Sequence, residues 1–360
     1  DSNGIGDFYY APPTGFLALC TANLPDVDVI PSEHFNPVIY TGNGSTQSIT
    51  GVGFQPDFVW NKKRAGGTAR NHMLTDSVRG VLKCLSSSLN DAEFTNSNGL
   101  SSFDSDGFSV GSYNNFNESG GTYVSWNWKA GGTAVSNTNG SITSSVSANP
   151  SAGFSIVSWT SDGSNGLAVG HGLASAPQLI IYKPRNAVNE WYTWLNALVD
   201  SSQDYVRLNS TAAKVDINSA VSGVPSSTLI SNFGFANTNT MIAYCFHSVE
   251  SYSKVGSYTG NGSDDGPFVH CGLRPAFILT KRTDGTSPWR LFDNKRPDAN
   301  FQTYKLEADS SGAELTGYSY ADFLSNGFKI RDNGSYINAN GGNYIFIAFA
   351  ESPFKHTNAR

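Results

Sequence analysis

Apolar and polar residues alternate over short runs in this chain, and the runs recur in three blocks. Each block closes on the clearest of them: TYVSWNW from Thr122, TMIAYCF from Thr240 and NYIFIAF from Asn343. A period of two sends successive side chains to opposite faces of a strand. In the first run Tyr123, Ser125 and Asn127 therefore share one face, and Val124, Trp126 and Trp128 share the other. Each block opens on a short strand and a tight turn, YTGNG from Tyr40, WTSDG from Trp159 and YTGNG from Tyr258. Asn-Gly and Asp-Gly suit the positive φ angles of such turns. A Pro-led apolar strand ending on Lys follows: GFQPDFVWNK from Gly53, GLASAPQLIIYK from Gly172 and GLRPAFILTK from Gly272. Pro at a strand start does least harm, because its missing N–H falls outside the ladder.

The pattern predicts an all-β chain of three tandem β-sandwich units, jelly-roll-like, over residues 38–130, 154–250 and 255–354. Repeats of this length read as beads in a row, each with its own core. Units one and three share a further signature, FDSDGFSV from Phe103 and FLSNGFKI from Phe323, which the divergent second unit reduces to LISNFGF from Leu229. The Gly/Ser/Thr/Asn-rich stretch 131–153 reads as a linker or as a polar strand attached to unit one. Residues 1–24 read as the strand pair that ends another β domain, and 25–37 as a linker. Helical periodicity is weak. DSVRGVLKCL from Asp76 is the best short helix candidate, although a strand pair also fits it.

Composition narrows the functional classes. Charged residues make up 14% and aromatics 12%. So few charges and so many rings oppose disorder. The net charge of −6 is spread thinly, with no basic cluster for nucleic acid. No apolar run of about 20 residues suggests a membrane span. Cys20, Cys84, Cys245 and Cys271 show no paired spacing and read as free thiols, mostly buried.

Few motifs point to chemistry. The six histidines show no metal-ligand spacing, no nucleophile elbow occurs, and no Gly-x-Gly continues into a phosphate-binding loop. No metal or cofactor is expected. Asp104 and Asp106 lack the further ligands of a calcium loop and read as turn residues. The Asn-x-Ser/Thr sequons at Asn43, Asn139, Asn261 and Asn333 suit turns as well as they suit glycosylation. The remaining functional material is aromatic. Trp191, Tyr192, Trp194, Trp289 and Tyr304 are the ligand-binding candidates, with Phe292 and Phe301 beside them, because Trp and Tyr join a large apolar face to a polar handle. The alternative is that these rings fill cores or interfaces.

Several segments, among them YYAPPTGFLALCTANLP, YTGNGSTQSITGVGFQPDFVW, FDSDGFSVG, GGTYVSWNWKAGGTAVSNTNGSITSSVSAN, SKVGSYTGNGSDDGPFV and YIFIAFAESPFK, resemble a family of virion proteins of marine tailed phages. That family comprises tail-fibre, tail-associated and receptor-binding proteins, and the resemblance covers essentially the whole chain. It implies that YYAPPTGFLALCTANLP ends a SPRY or concanavalin-like domain, so that the chain is a C-terminal part of a longer protein or a form lacking that domain. It further implies a non-enzymatic protein of the virion surface that binds other virion proteins and a host-surface glycan or protein. As phage fibres commonly do, it would assemble as a homo-oligomer, a trimer by preference. Two other readings stand beside it. One is a spacer or a capsid or tail decoration protein. The other is a polysaccharide depolymerase, for which Glu93, Asp293 and Glu307 are the carboxylates to inspect.

Overall fold

The computed structural model describes residues 1–23, 28–163, 167–198, 204–216, 224–231, 238–297 and 301–352. Nearly all regular structure in them is strand. Unit one holds β1 (Phe35–Thr41), β2 (Gln47–Ile49), β3 (Phe58–Ala65), β4 (Met73–Asp76), β5 (Lys83–Cys84), β6 (Phe94–Thr95), β7 (Leu100–Asp104), β8 (Gly107–Val110), the single-turn helix α1 (Asn114–Asn117) and β9 (Thr122–Trp128). Unit two holds β10 (Val135–Asn137), β11 (Ser144–Asn149), β12 (Phe154–Thr160), β13 (Ala168–Gly170), β14 (Leu179–Pro184), β15 (Tyr192–Leu195), β16 (Val206–Arg207), β17 (Leu229–Ser231) and β18 (Thr240–Phe246). Unit three holds β19 (Ser253–Thr259), β20 (Phe268–His270), β21 (Pro275–Arg282), β22 (Arg290–Asp293), β23 (Phe301–Gln302), β24 (Leu306–Glu307), β25 (Ala321–Leu324), β26 (Gly327–Ile330), α2 (Ser335–Asn338) and β27 (Asn343–Ala350).

The three units share one topology. Their inner sheets run β1-β9-β3-β4, β12-β18-β14-β15-β16 and β19-β27-β21-β22-β24, so the closing strand always lies between the opening strand and the Lys-ending strand. Smaller outer sheets, β2-β8-β7, β13-β17 and β20-β26-β25-β23, cover one face of each. Between the two sheets of each unit lies its own core, around Phe108 and Val110, around Trp159 and Trp194, and around Phe328 and Phe346. The shared signature is the β7–β8 and β25–β26 hairpin. A Cβ on Gly107 would sit 1.9 Å from the Ile49 carbonyl oxygen, and one on Gly327 would sit 2.1 Å from that of Val269, so only glycine lets the outer strands meet there. The YTGNG turns are tied down alike. Asn117 accepts from the Asn43 N–H at 2.7 Å, and Asn338 accepts from the Asn261 N–H at 2.8 Å.

The units are not beads in a row. The other face of all three inner sheets packs into a fourth core common to the whole chain. Val124, Trp126 and Trp128 of β9, Ile242, Tyr244 and Phe246 of β18, and Ile345, Ile347 and Phe349 of β27 all point into it. The last residues of these triplets meet one another. Ring centroids of Trp128, Phe246 and Phe349 lie 6.4, 5.6 and 5.9 Å apart pairwise, a triangle that marks a pseudo-threefold axis.

Side-chain bonds close the ring in one rotational sense. Lys62 Nζ donates to the Ser311 carbonyl of unit three, Lys281 Nζ to the Thr211 carbonyl of unit two, and Lys183 Nζ to the Asn90 carbonyl of unit one. The three lysines hold the same register on β3, β21 and β14, opposite Val124, Ile345 and Ile242. One step away, ring nitrogens repeat the pattern. Trp191 donates to the Ser86 carbonyl at 2.6 Å and Trp289 to that of Arg207 at 2.8 Å. At the matching position in unit one, His72 Nε2 lies 2.9 Å from the Glu307 carbonyl, while Trp60 donates to its Nδ1. Burial drives the His72 pKa well down, which leaves a neutral ring with Nε2–H as the donor.

Four expectations change. Residues 1–23 form turns and a 3-10 turn at Thr21–Asn23, with no strand pair. Their alternation is broken by Pro12, Pro13 and Gly15, which oppose a ladder. The linker expected over 25–37 is largely structured where it is described. Val29 and Phe35 enter the central core, Pro31–Glu33 forms a 3-10 turn, and β1 begins at Phe35. The 131–153 stretch supplies β10 and β11, which extend the inner sheet of unit two and not of unit one. DSVRGVLKCL is no helix: Asp76 caps a turn through Val78 N–H and Arg79 N–H, and the chain returns as β5. Of the LISNFGF segment, Leu229–Ser231 is β17 and the rest lies outside the described residues.

Candidate ligand-binding site

Three of the five aromatic candidates are corrected by the fold. Trp191, Trp194 and Trp289 are 0, 1 and 1% exposed. Trp191 and Trp289 fill the central core and bridge two units through their indole N–H groups, and Trp194 fills the core of unit two. Buried rings present no face to a ligand. Tyr304 is half-buried, with the Arg64 guanidinium of unit one 6.0 Å from its centroid, so it belongs to a contact between units. Phe301 is 46% exposed and Phe292 is buried.

Tyr192 is different. Its cross-strand partners on the inner sheet of unit two are Tyr182 on β14 and Arg207 on β16, and Tyr205, two residues before Arg207 and just ahead of β16, brings a third ring against it. The Tyr182 and Tyr192 rings stack at 5.4 Å, and Tyr192 meets Tyr205 edge-on at 5.0 Å. All three are half-buried. The Arg207 guanidinium lies 5.7 Å from the Tyr205 ring, and Tyr192 Oη bonds Asn189 Oδ1 at 3.1 Å. Burial raises the Tyr192 pKa, so the hydroxyl that donates to Asn189 stays protonated.

The sister units fill the same three positions with different chemistry. Unit one has Asn61, Met73 and Cys84, all buried. Unit three has Thr280, Arg290 and Lys305, also buried, and closes them with Tyr336 of α2. Arg290 stands 4.4 Å and Lys305 4.6 Å from the Tyr336 centroid. Burial, then the neighbouring Arg290 charge, brings the Lys305 pKa down to about 8. Only in unit two does the row present partly exposed aromatic faces side by side. Sequence reasoning found Tyr192 and missed Tyr182 and Tyr205. Aligning the three Lys-ending strands would have set Tyr182 against Asn61 and Thr280.

The carboxylates are held individually. Glu93 lies 2.9 Å from Arg185 and 3.1 Å from Arg79. Asp293 forms a fully buried pair with Arg296 at 2.6 Å, and Glu307 bonds Arg290. Asp106 caps the Gly51 and Gly53 N–H groups at 3.0 and 2.6 Å, which lowers its pKa, and Asp104 accepts from Ser109. No cluster of three or more His, Cys, Asp or Glu side chains suited to a metal occurs among the described residues. Cys84, Cys245 and Cys271 are buried free thiols, and burial lifts their pKa values to about 11, 12 and 12.

With the geometry in view, the comparisons place the chain. Residues 30–353 match the model of a domain of unknown function, DUF7483. The chain belongs to that family. The match begins next to Val29, the first residue of the central core, and ends just past β27, so the family unit is the whole three-part ring and not one sandwich. No curated protein matches the chain.

Proposed function

We propose that this DUF7483 chain is a non-enzymatic recognition module of a tailed-phage virion surface, and that its unit-two tyrosine row binds a host-surface glycan. The observation that carries the reading is the contrast at three equivalent positions. The frame is the same three times, yet unit two alone sets tyrosine rings there, Tyr182, Tyr192 and Tyr205, in mutual contact and half-open. Aromatic faces stack on the C–H faces of sugars, and Asn189 and Arg207 at the rim offer hydrogen-bonding groups for hydroxyls. The pseudo-threefold frame is closed within a single chain, and assembly of further copies would multiply the site. Among the described residues no helix is long and apolar enough to cross a membrane.

A partner on the virion is supported separately. Tyr9, Phe16 and Leu19 are 91, 67 and 102% exposed, large apolar side chains that suit contact with another virion protein. The test is to incubate the purified chain with host cells and their extracted surface polysaccharides, following binding and released reducing ends together. Saturable binding without release, weakened about tenfold by Tyr192→Ala/Tyr205→Ala, is expected. Release of sugar ends would overturn the non-enzymatic reading, and binding unaffected by the double variant would remove the tyrosine row.

A further inference from the structure

The three contacts between units, or seams, have the same backbone and different side chains at the rim. Glu93 N–H donates to the Arg185 carbonyl, Glu314 N–H to that of Arg64, and Lys214 N–H to that of Thr283, at 2.7, 2.9 and 2.7 Å. In the first two seams the arginine also crosses to the glutamate. Arg185 and Arg64 each make paired bonds to Glu93 and Glu314, at 2.8–3.1 Å. Where unit three meets unit two, the arginine position is Thr283 and the glutamate position is Lys214, which turns back to Asp204 of its own unit.

A short threonine cannot fill the space of an arginine. What remains is a groove of about 400 Å³, lined by Leu198 and Lys214 from unit two and by Tyr258, Thr283, Asp284 and Asn343 from unit three. Its size falls in the usual range of small-ligand sites, about 300–1,000 Å³. Its walls carry an ammonium, a carboxylate, an amide and a hydroxyl above an apolar floor that includes Leu198 and Ile345. Mixed donors and acceptors over an apolar base suit a molecule with hydroxyls on its edge and C–H groups on its face.

We infer that the groove between units two and three is a second oligosaccharide subsite, opened by loss of the arginine–glutamate closure that seals the other two seams. The inference rests on the glycan-binding reading above. Ser257 is exposed on β19 and also lines the groove, so Ser257→Trp fills it from the surface. Thr283→Arg fills it from the seam by restoring the residue type of the sister units.

Both variants, the wild type and Tyr192→Ala/Tyr205→Ala are probed on an array of capsule and O-antigen oligosaccharides, with thermal melting as the fold control. The expected result is at least one oligosaccharide that the tyrosine variant still binds and that both groove variants lose by tenfold or more, at unchanged melting temperature. If both groove variants bind every wild-type ligand with wild-type affinity, the subsite is wrong and the tyrosine row stands. If the wild type binds no oligosaccharide, both readings fall.

Discussion

Two of the seams are closed by buried charge and one by hydrocarbon. Where unit two meets unit one, Asp76 and Arg79 form a fully buried pair at 2.5 Å, and Tyr244 Oη reaches across to Asp76 at 2.7 Å. Where unit one meets unit three, Asp293 and Arg296 repeat it, with Trp126 Nε1 donating to Asp293 at 3.0 Å. Arg79 and Arg296 also donate to the Leu74 and Leu291 carbonyls, each at 2.8 Å. The third seam puts Leu195, Leu198 and Ile347 at the matching positions, all within the central core or packed beside it. One backbone therefore tolerates both solutions. Burial alone would lower the Arg79 pKa, but Asp76, Tyr244 and Glu93 outweigh it and hold the guanidinium charged. The ionic seams are stable only as complete sets, because removing one member strands a buried charge.

The largest effect expected follows from that. Asp76→Ala or Asp293→Ala should lose about 3–5 kcal/mol, the range for an uncompensated buried charge. Chemical denaturation measures it, and a loss below about 1 kcal/mol would mean that water reaches the arginine. Leu195→Asp should be comparably damaging at the apolar seam, and adding Leu198→Arg should recover part of the loss by rebuilding the pair.

A gentler change sharpens the contrast. Converting the first seam wholesale to the third, as Asp76→Leu/Arg79→Leu/Tyr244→Ile, removes all the polar members together and leaves Glu93 with Arg185. Exchanges of this kind are neutral or stabilising by about 1–4 kcal/mol. A triple variant less stable than Asp76→Ala alone would show that the sheets at this seam cannot repack around leucine.

The frame was legible in the sequence because strand periodicity and turn chemistry are local. The Asn-Gly turns, the Pro-led strands and the closing strands all fall where the pattern puts them. The central core was less legible because it depends on how units meet, although a trace of it was present. MIAYCF and YIFIAFA are apolar on both faces, and a sandwich strand with one face to solvent would not be. Trp191 and Trp289 were misjudged for the same reason: a large aromatic outside the closing strands looks free until a neighbouring unit covers it. Tyr192 emerged by residue type alone, while its partners Tyr182 and Tyr205 needed the strand register. The ion pairs Asp76–Arg79 and Asp293–Arg296 share the spacing Asp-x-x-Arg, which went unread because unit two lacks it.

The smallest effect tests the feature that all three seams keep. Burial lowers the pKa of Lys62 to about 7 and of Lys183 and Lys281 to about 8, from 10.5. Each contacts two backbone carbonyls: Arg70 and Ser311, Asn90 and Asn189, and Thr211 and Arg282. A neutral amine still has two N–H donors for them. Because the folded pKa lies below the unfolded one, the unfolded chain binds more protons between the two values, and stability rises with pH there. The rise should be visible from about pH 7 to 9, at no more than about 1.4 kcal/mol per pH unit for each lysine. Above pH 9 the buried thiols oppose it, since their folded pKa values are raised and the unfolded chain ionises first. Urea midpoints at half-unit steps of pH measure the slope, and Lys281→Met should lower it without affecting the other two seams. A flat profile in the wild type would mean that these lysines remain charged in the ring, with water reaching each seam from outside.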